Sequence, residues 1–536
     1  MYLIDQHTKK IMEECKERAR AAGLSFDKET LEYIVTNKDL LELSPKVMIP
    51  TLYDYWLYDV EVLKEYGKYK LYPSNPYETV INSRPAISFY NDNNPDWLNI
   101  MIFYHVLAHI DFFQNNRLFE HTWNDDFVGV ALADKREIEG YRREHGRWAD
   151  YIIEFSRSID NITGYFHSLA GLNYPYHLEP DEKLNYYFNT FMPDVLGKSD
   201  SDISKEIDRY NRILAVSGDH AAEVFFAEVR QKYPEFTAEL EKYERDESPW
   251  HDVLLFIRDH SPFMRKPENQ WMKSIVTIVH NTAQYFAPQI RSKIANEGWA
   301  SYWHDNLFRT DDRIKGFESD YARINAGVTS LNRIGLNPYA IGLRLYEYVE
   351  DLAEKGKLSW QFEKILNREK RDSFNLKTGK GKETIFGIRQ NFSDFMFINT
   401  FVDQDFVDLH NLFVVGKRMD EQKGVVEYYI KSRKAEDYKK MLLDSLYHPP
   451  HITVSKELTT DKRLYLVHHF EGKQLYQGYI PDVLVGLEYL WGAEVKLQTT
   501  EIVAQKENNE VTGYTYRDVL YSCKNKKVTK AIAKDE

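Results

Sequence analysis

Two histidines, His105 and His109, lie four residues apart in the segment YHVLAHIDFFQNN, residues 104–116. Apolar residues around them recur at steps of three and four, which predicts a helix whose core-facing stripe carries both imidazoles. Neutral imidazoles at i and i+4 form half of many zinc sites. The alternative is a hydrogen-bonded pair of core histidines. The spacing alone decides little, because about 0.5 such pairs are expected by chance among 17 histidines in 536 residues.

A candidate third ligand, Glu297, lies in the segment NEGWASYWH, residues 296–304, within a predicted helix over residues 284–308. A carboxylate buried on such a tryptophan-rich helix must be paired, protonated or bound to a metal ion. His105, His109 and Glu297 are therefore predicted to hold a divalent ion, with a position open for water. The alternative for Glu297 is an ordinary surface carboxylate.

Proton transfer at such a site requires an acid or base, and the candidate residues are Asp111, Glu120, Asp305 and His304. Asp111 lies two residues beyond the second histidine and so points about 200° around the helix from it, which suits a supporting partner of a ligand or a neighbouring surface. His304 is seven residues after Glu297 and shares its helix face. It is predicted to be a fourth ligand or a proton shuttle.

Six segments resemble the bacterial stage V sporulation protein R (SpoVR) family, and the resemblance runs from about residue 45 to the C-terminus. The segments are HVLAHIDFFQNN, QYFAPQ, NEGWA, VINSRPAISF, GLNPYAIG and FINTFVDQDFVDLHNLF. The resemblance implies a role in sporulation, namely spore cortex formation, or in stationary-phase envelope physiology. It also implies operation alongside a serine protein kinase and a von Willebrand-type partner protein.

The arrangement of ligands is also similar to that of gluzincin metallopeptidases, whose first helix reads HExxH and whose third ligand is a later glutamate. Here Val106 stands where those enzymes place the catalytic glutamate, and valine cannot take a proton from water. One hypothesis is a metal-dependent amide or peptide hydrolase, with zinc as the expected ion. The others are a catalytically inactive regulatory scaffold working with the kinase, and a structural protein of spore assembly.

The amino-acid composition limits the classes of protein to which the chain can belong. With 70 basic and 83 acidic side chains the net charge is 70 − 83 = −13, which argues against sequence-independent nucleic-acid binding. Two cysteines at opposite ends of the chain supply no disulfide framework, which fits a reducing cytoplasm. No apolar run is long enough for a secretory signal or a membrane span, so the expected location is cytoplasmic.

The pattern of the whole chain predicts an α+β protein, with a large, mainly helical, zincin-like N-terminal domain and a smaller C-terminal α+β domain. Residues 80–87 are predicted to form a strand or extended loop before the histidine helix. After Glu383 the segments ETIFGIRQ, VVEYYIKSR, HITVSK, RLYLVHHF and EVKLQT are predicted to be strands, with helices over residues 435–446 and 481–490. The expected domains are an N-terminal amphipathic helical segment (1–44), the helical core with the metal site (45–365), a linker (366–384), the C-terminal α+β domain (385–523) and a disordered tail (524–536).

Overall fold

A computed structural model of the chain describes residues 2–43, 78–124, 126–164, 182–245, 251–420, 424–507 and 510–532, with a few single residues between 63 and 70. The expected boundary between residues 44 and 45 lies outside the described residues, as do the last four residues of the expected tail. Among the described residues, none of the helices combines the length and the apolar character needed to cross a bilayer.

Helices outnumber strands in the described chain. The α-helices are α1 Gln6–Ala21, α2 Asn37–Leu43, α3 Asp96–Asn115, α4 Phe127–His145, α5 Trp148–Arg157, α6 Glu182–Tyr186, α7 Asp200–Ser217, α8 Ala221–Lys232, α9 Phe236–Arg245, α10 Val253–His260, α11 Trp271–Arg291, α12 Lys293–Phe308, α13 Glu318–Thr329, α14 Pro338–Glu354, α15 Trp360–Glu363, α16 Arg368–Asp372, α17 Gly381–Asn391, α18 Asp394–Phe401, α19 Gln404–Leu409, α20 Ala435–Ser445 and α21 Ile480–Trp491. The strands are β1 Tyr2–Leu3, β2 Thr30–Val35, β3 Glu78–Ile81, β4 Ala86–Asn91, β5 Val414–Asp420, β6 Val425–Ser432, β7 Ile452–Val454, β8 Arg463–His468, β9 Glu494–Glu507, β10 Glu510–Lys524 and β11 Lys527–Ile532.

The chain divides into two compact units, and each unit combines two separate stretches of sequence. Unit 1 contains Met1–Glu154 and Ser274–His448, and unit 2 contains Phe155–Lys273 and Pro449–Glu536. The sequence pattern predicts domains that follow one another along the chain. The architecture is mixed α+β, with a smaller β-rich region at the C-terminus, which agrees with the expected fold class at that level.

The core of unit 1 is built on two helices that are buried on almost every side. In α3, every residue from Leu98 to Phe113 is buried, as expected for a helix that is apolar all round. Helix α12 packs against α3 and crosses α14 at Gly298 and Gly342. A Cβ atom added to Gly342 would lie 2.6 Å from the Cα of Gly298, so this close crossing requires glycine on both helices. Glu297 is the residue before Gly298 on α12, so the crossing places its backbone in the core of unit 1.

Unit 1 also contains a four-stranded sheet in the order β1-β2-β4-β3. Strands β2 and β4 are parallel, and the other two pairs are antiparallel. Residues 80–87, predicted to be a strand or an extended loop, form the end of β3, the turn after it and the start of β4. Strand β3, which begins at Glu78, is the last strand in the order of this sheet.

Unit 2 contains a five-stranded sheet in the order β11-β10-β9-β8-β7. Strands β8 and β9 are parallel and are connected through α21, which buries Leu484, Leu487 and Trp491. Gly492 ends this helix with a φ of +83°, a conformation that glycine adopts without strain. The strands predicted in HITVSK, RLYLVHHF and EVKLQT are confirmed, as are the helices α20 and α21.

Two earlier segments differ from the sequence expectation: residues 30–35, in the segment expected to be helical, form β2, and the helix predicted over residues 284–308 is divided between α11 and α12. Three segments beyond residue 365 differ as well. The segment ETIFGIRQ lies in α17 and is not a strand, because Ile385, Ile388 and Arg389 are buried together at helical spacing. The segment expected to be a linker contains α16 and the start of α17. Residues 527–532, in the tail expected to be disordered, form β11, which pairs antiparallel with β10.

Candidate metal centre

The two predicted histidine ligands face each other in the buried interior of unit 1. His105 and His109 lie one turn apart on α3 and are only 8 % and 5 % exposed. Their Nε2 atoms are 3.1 Å apart. Two atoms that converge at this distance on one helix face can share a single partner, which is either a proton or a metal ion.

Glu297 reaches the same place from α12, almost two hundred residues later in the sequence. Its Oε2 atom is 3.4 Å from His109 Nε2 and 3.9 Å from His105 Nε2. The carboxylate side chain is 16 % exposed. The three residues predicted from sequence to be ligands therefore converge on one point.

A chain of hydrogen bonds behind His105 determines which of its nitrogens carries the proton. The amide nitrogen of Asn325 donates to Asp305 Oδ1 at 3.2 Å, so the amide oxygen of Asn325 is the end that faces His304 Nε2 at 3.0 Å. His304 Nε2 must donate to that oxygen, which leaves His304 Nδ1 as an acceptor. His105 Nδ1 lies 2.9 Å from His304 Nδ1 and therefore donates to it. The Nε2 atom of His105 keeps its lone pair.

His109 has the same arrangement with a different partner. Its Nδ1 atom lies 2.9 Å from Asn296 Oδ1, and it donates because that oxygen can only accept. The Nε2 lone pairs of His105 and His109 then point at each other and at the Glu297 carboxylate. Three electron-rich atoms at these distances repel unless a cation lies between them. This donor set of two imidazoles and a carboxylate fits a divalent ion such as zinc.

The pKa values of the two histidines shift in opposite directions. Burial and the neighbouring imidazoles of His109 and His304 lower the pKa of His105 well below its ordinary value. Burial also acts to lower the pKa of His109, but the hydrogen bond and charge of Glu297, together with the charge of Glu78, outweigh it and raise that pKa. The carboxylates that favour a proton on His109 would equally favour a metal ion.

Glu78 is a site residue that the sequence analysis missed. It begins β3, and one of its carboxylate oxygens lies within 4.8 Å of a ring nitrogen of both His105 and His109. Its Oε2 atom is buried without a hydrogen-bond partner among the described residues. The sequence offers no signal for it, because a glutamate before a short strand is ordinarily a surface residue.

Tyr339 was missed as well, although it lies in the segment GLNPYAIG. It stands in the first turn of α14, and its ring stacks on that of His105 with centroids 6.1 Å apart. Burial, the charges of Glu297 and Glu78 and a hydrogen bond to Glu297 raise the pKa of the Tyr339 hydroxyl. The hydroxyl is thus a neutral donor held beside the Glu297 carboxylate.

Comparison with known proteins identifies the family. A family model described as "SpoVR like protein" matches residues 5–449. The chain belongs to the SpoVR family. The match includes all the residues of the candidate centre, starts nearer the N-terminus than the resemblance seen in the sequence, and ends before β7. A similar relative from the same comparisons is "Uncharacterized protein YcgB" of Escherichia coli (strain K12), which is 22% identical over 495 residues, covering 87% of this chain and 86% of the relative. No solved structure matches the chain.

The four predicted acid–base residues lie in different surroundings. Asp305 accepts hydrogen bonds from the Asn325 amide at 3.2 Å and from Arg309 Nε at 2.9 Å. His304 contacts His105 through its Nδ1 atom, so it is placed as a support for that histidine, and its pKa is lowered chiefly by burial. Asp111 is fully buried away from the convergent Nε2 atoms and accepts hydrogen bonds from Trp299 Nε1 at 2.8 Å and from the backbone of Ser25 at 2.7 Å. Glu120 is exposed on the short 3₁₀ helix that follows α3.

The N-terminus of α12, which carries Glu297, is held by a buried carboxylate. The backbone N–H groups of Ile294 and Ala295 donate to Asp394 at 2.9 Å and 2.8 Å. Burial raises the pKa of Asp394 to about 7, although these two hydrogen bonds act to lower it. The contact ties the start of α12 to the start of α18 and so limits the movement of Glu297 one turn later.

Proposed function

We propose that this SpoVR-family chain binds a divalent metal ion, zinc being the expected one, and hydrolyses an amide bond with it. His105, His109 and Glu297 would be the ligands. The observation that carries the proposal is the convergence of two Nε2 lone pairs and the Glu297 carboxylate within 3.9 Å of one another. Each ring is held in the tautomer that metal binding requires.

An ion at this position would acidify a coordinated water and polarise a substrate carbonyl. The proposal assigns the base to Glu78, because Val106 cannot act as one. Glu78 approaches both imidazoles from β3, and its buried oxygen has no competing hydrogen bond among the described residues. Tyr339 is assigned to stabilise negative charge on the substrate oxygen by donating its hydroxyl proton in a hydrogen bond.

The proposal includes a zincin-like organisation of the centre. Two histidines one turn apart on a helix, a glutamate from a later helix and a nearby edge strand are the shared features. The centre differs from that of a zincin in the source of the base, which comes from β3 and not from the histidine helix. Because an edge strand can align an extended chain, a peptide-like amide is the substrate class that this organisation favours.

The cellular part of the proposal rests on the family resemblance alone. A role in spore cortex formation or stationary-phase envelope physiology would place the amide substrate in the cell envelope. The expected association with a serine protein kinase and a von Willebrand-type protein is compatible with a hydrolase and with an inactive scaffold.

Metal analysis of the purified full-length protein tests the first half of the proposal. About one equivalent of metal per chain is expected in the wild type, and about tenfold or greater loss of affinity in His105→Ala, His109→Ala and Glu297→Ala. His220→Ala, at an exposed histidine between α7 and α8, is the control and should retain the metal. If the wild type contains no metal after incubation with zinc, the proposed metal centre is wrong and the regulatory scaffold is favoured.

Hydrolysis is tested separately with peptidoglycan fragments and peptide libraries, using Glu78→Gln. This variant should keep the metal and lose turnover by about a hundredfold or more, the range expected for removal of a general base. A wild-type protein that binds metal but releases no new amine from any of these amides would refute the hydrolase while leaving the metal centre intact.

A further inference from the structure

The β5–β6 hairpin of unit 1 exposes an unusual amount of apolar surface. Six of its large apolar side chains are between 46 % and 65 % exposed, and they are Met419, Val425, Val426, Tyr428, Tyr429 and Ile430. The two strands form a sheet of their own, with no third strand among the described residues. A two-stranded ribbon is marginal on its own, and an open apolar strand edge is a template for further pairing.

We propose that β6 pairs antiparallel with β6 of a second copy of this chain. The two hairpins would then form one four-stranded sheet across a two-fold axis at Tyr429. Self-pairing of this kind requires a strand that is complementary to its own reverse. The sequence VVEYYIKS of β6 meets that requirement in one register.

With Tyr429 opposite its own copy, Glu427 lies opposite Lys431 of the second copy, and Tyr428 lies opposite Ile430 of the second copy. By symmetry each contact occurs twice. The first is a pair of opposite charges and the second an aromatic and a β-branched side chain, both of which stabilise neighbouring strands. Registers displaced by one residue place Glu427 opposite Ile430 or Ser432. A displacement by two places it opposite Tyr429 or opposite Arg433, which lies beyond the end of β6, so charge complementarity within the strand selects the register centred on Tyr429.

Contacts within the hairpin leave the outer edge of β6, the edge that faces away from β5, open for pairing. Tyr429 is paired with Gly416 across the hairpin, and its ring covers the backbone of that glycine, so the ring leans towards β5. Glu427 accepts a hydrogen bond from Arg418 Nη2 at 2.9 Å, and a carboxylate can accept from a second cation as well. Lys431 is exposed.

Sedimentation equilibrium of the full chain tests the charge pairs. The wild type should dimerise, and Lys431→Glu should raise the dissociation constant roughly tenfold, because both Glu–Lys pairs become like-charge pairs. Lys417→Glu, the same charge change on β5, should dimerise as the wild type does. Glu427→Lys should also weaken the dimer, but an equimolar mixture of the Glu427→Lys and Lys431→Glu proteins should restore it. A monomeric wild type, or a Lys431→Glu variant that dimerises normally, would overturn the proposal.

Oxidative cross-linking tests the register independently. Tyr429→Cys should form an intermolecular disulfide, because this position faces its own copy at a distance that a disulfide can span. Glu427→Cys, on the same strand face, should not, since it lies roughly 13 Å from its own copy in this register. The two native cysteines are buried and supply little background. Equal cross-linking at both positions, or cross-linking at Glu427→Cys alone, would refute the register.

Discussion

Replacing Gly342 by alanine is predicted to disrupt the candidate metal centre without touching any of its ligands. The new Cβ atom would meet the backbone of α12, at the carbonyl oxygen of Ile294 and 2.6 Å from the Cα of Gly298. Both obstacles are backbone atoms, so no side-chain rotation relieves the clash. The helices α12 and α14 must separate instead.

The size of the separation follows from the geometry. Ordinary contact begins at 3.4 Å, so the contact with the Gly298 Cα alone requires the helices to move apart by 3.4 − 2.6 = 0.8 Å, and the closer carbonyl oxygen of Ile294 requires more. A gap of that size removes a quarter to a half of the dispersion attraction across it, including that between Trp299 and Tyr346, whose ring centroids are 5.2 Å apart. Overpacking of a core typically costs about 1–3 kcal/mol, and a backbone clash belongs at the upper end of that range, about 3 kcal/mol.

Metal binding should suffer as well as stability. Glu297 precedes the crossing point on α12, and metal–ligand distances tolerate changes of only about 0.2 Å. Urea unfolding and metal titration of Gly342→Ala should therefore both show a loss. The control is Gly387→Ala in α17, where an added Cβ meets nothing within 4 Å. It should be neutral or more stable by up to about 1 kcal/mol, because alanine favours helix. Equal stability of the two variants would refute the close crossing.

Three further predictions concern the supports of the site and unit 2. Asn325→Ala should weaken metal binding about 10–100-fold in a competition titration, because His304 loses the acceptor that orients it; unchanged affinity would contradict the proton assignment. Asp394→Ala should lower the free energy of unfolding by about 1–2 kcal/mol in urea, because α12 loses its cap, whereas a loss within experimental error would contradict that role. Burial lowers the pKa of His468 to about 4, so the unfolded chain binds a proton first on acidification, and stability should fall by up to about 3 kcal/mol between roughly pH 6.5 and 4. Urea unfolding of His468→Gln across this range should show a flatter pH dependence, and a slope equal to that of the wild type would contradict the assignment.

Periodicity predicted the elements that carry the ligands, because a buried helix reveals itself within a short window of sequence. The helix that carries His105 appears where the apolar spacing placed it. The helix predicted over residues 284–308 is divided at Ser292 between the end of α11 and α12, and α12 carries Glu297. The segment ETIFGIRQ was misread, since its apolar residues are too few to separate helical spacing from strand alternation. The strand β11 was missed because lysines interrupt its alternation, which is common in edge strands.

Residues that enter the site through tertiary contacts could not be predicted in this way. Glu78 belongs to the centre only because β3 lies beside α3, and Asn325 only because α13 packs near His304. Neither residue stands in a motif with metal-ligand spacing. The interleaved units escaped prediction for the same reason, since pairing between distant segments leaves no periodic trace in either segment.

The charges in the centre favour the proposed metal ligand set over a structural histidine pair. Glu78 and Glu297 bring two carboxylates to two imidazoles. The hydrogen bonds to His304 and Asn296 use the Nδ1 protons, so the neutral rings carry their lone pairs on Nε2. A single proton shared by the histidines would offset one negative charge and leave the other partly buried, which is costly. A divalent ion would offset both charges and accept both lone pairs. With such an ion bound, Glu78 would be placed to take a proton from a coordinated water. Glu78, which no sequence motif predicts, would therefore supply both the second carboxylate and the proposed base.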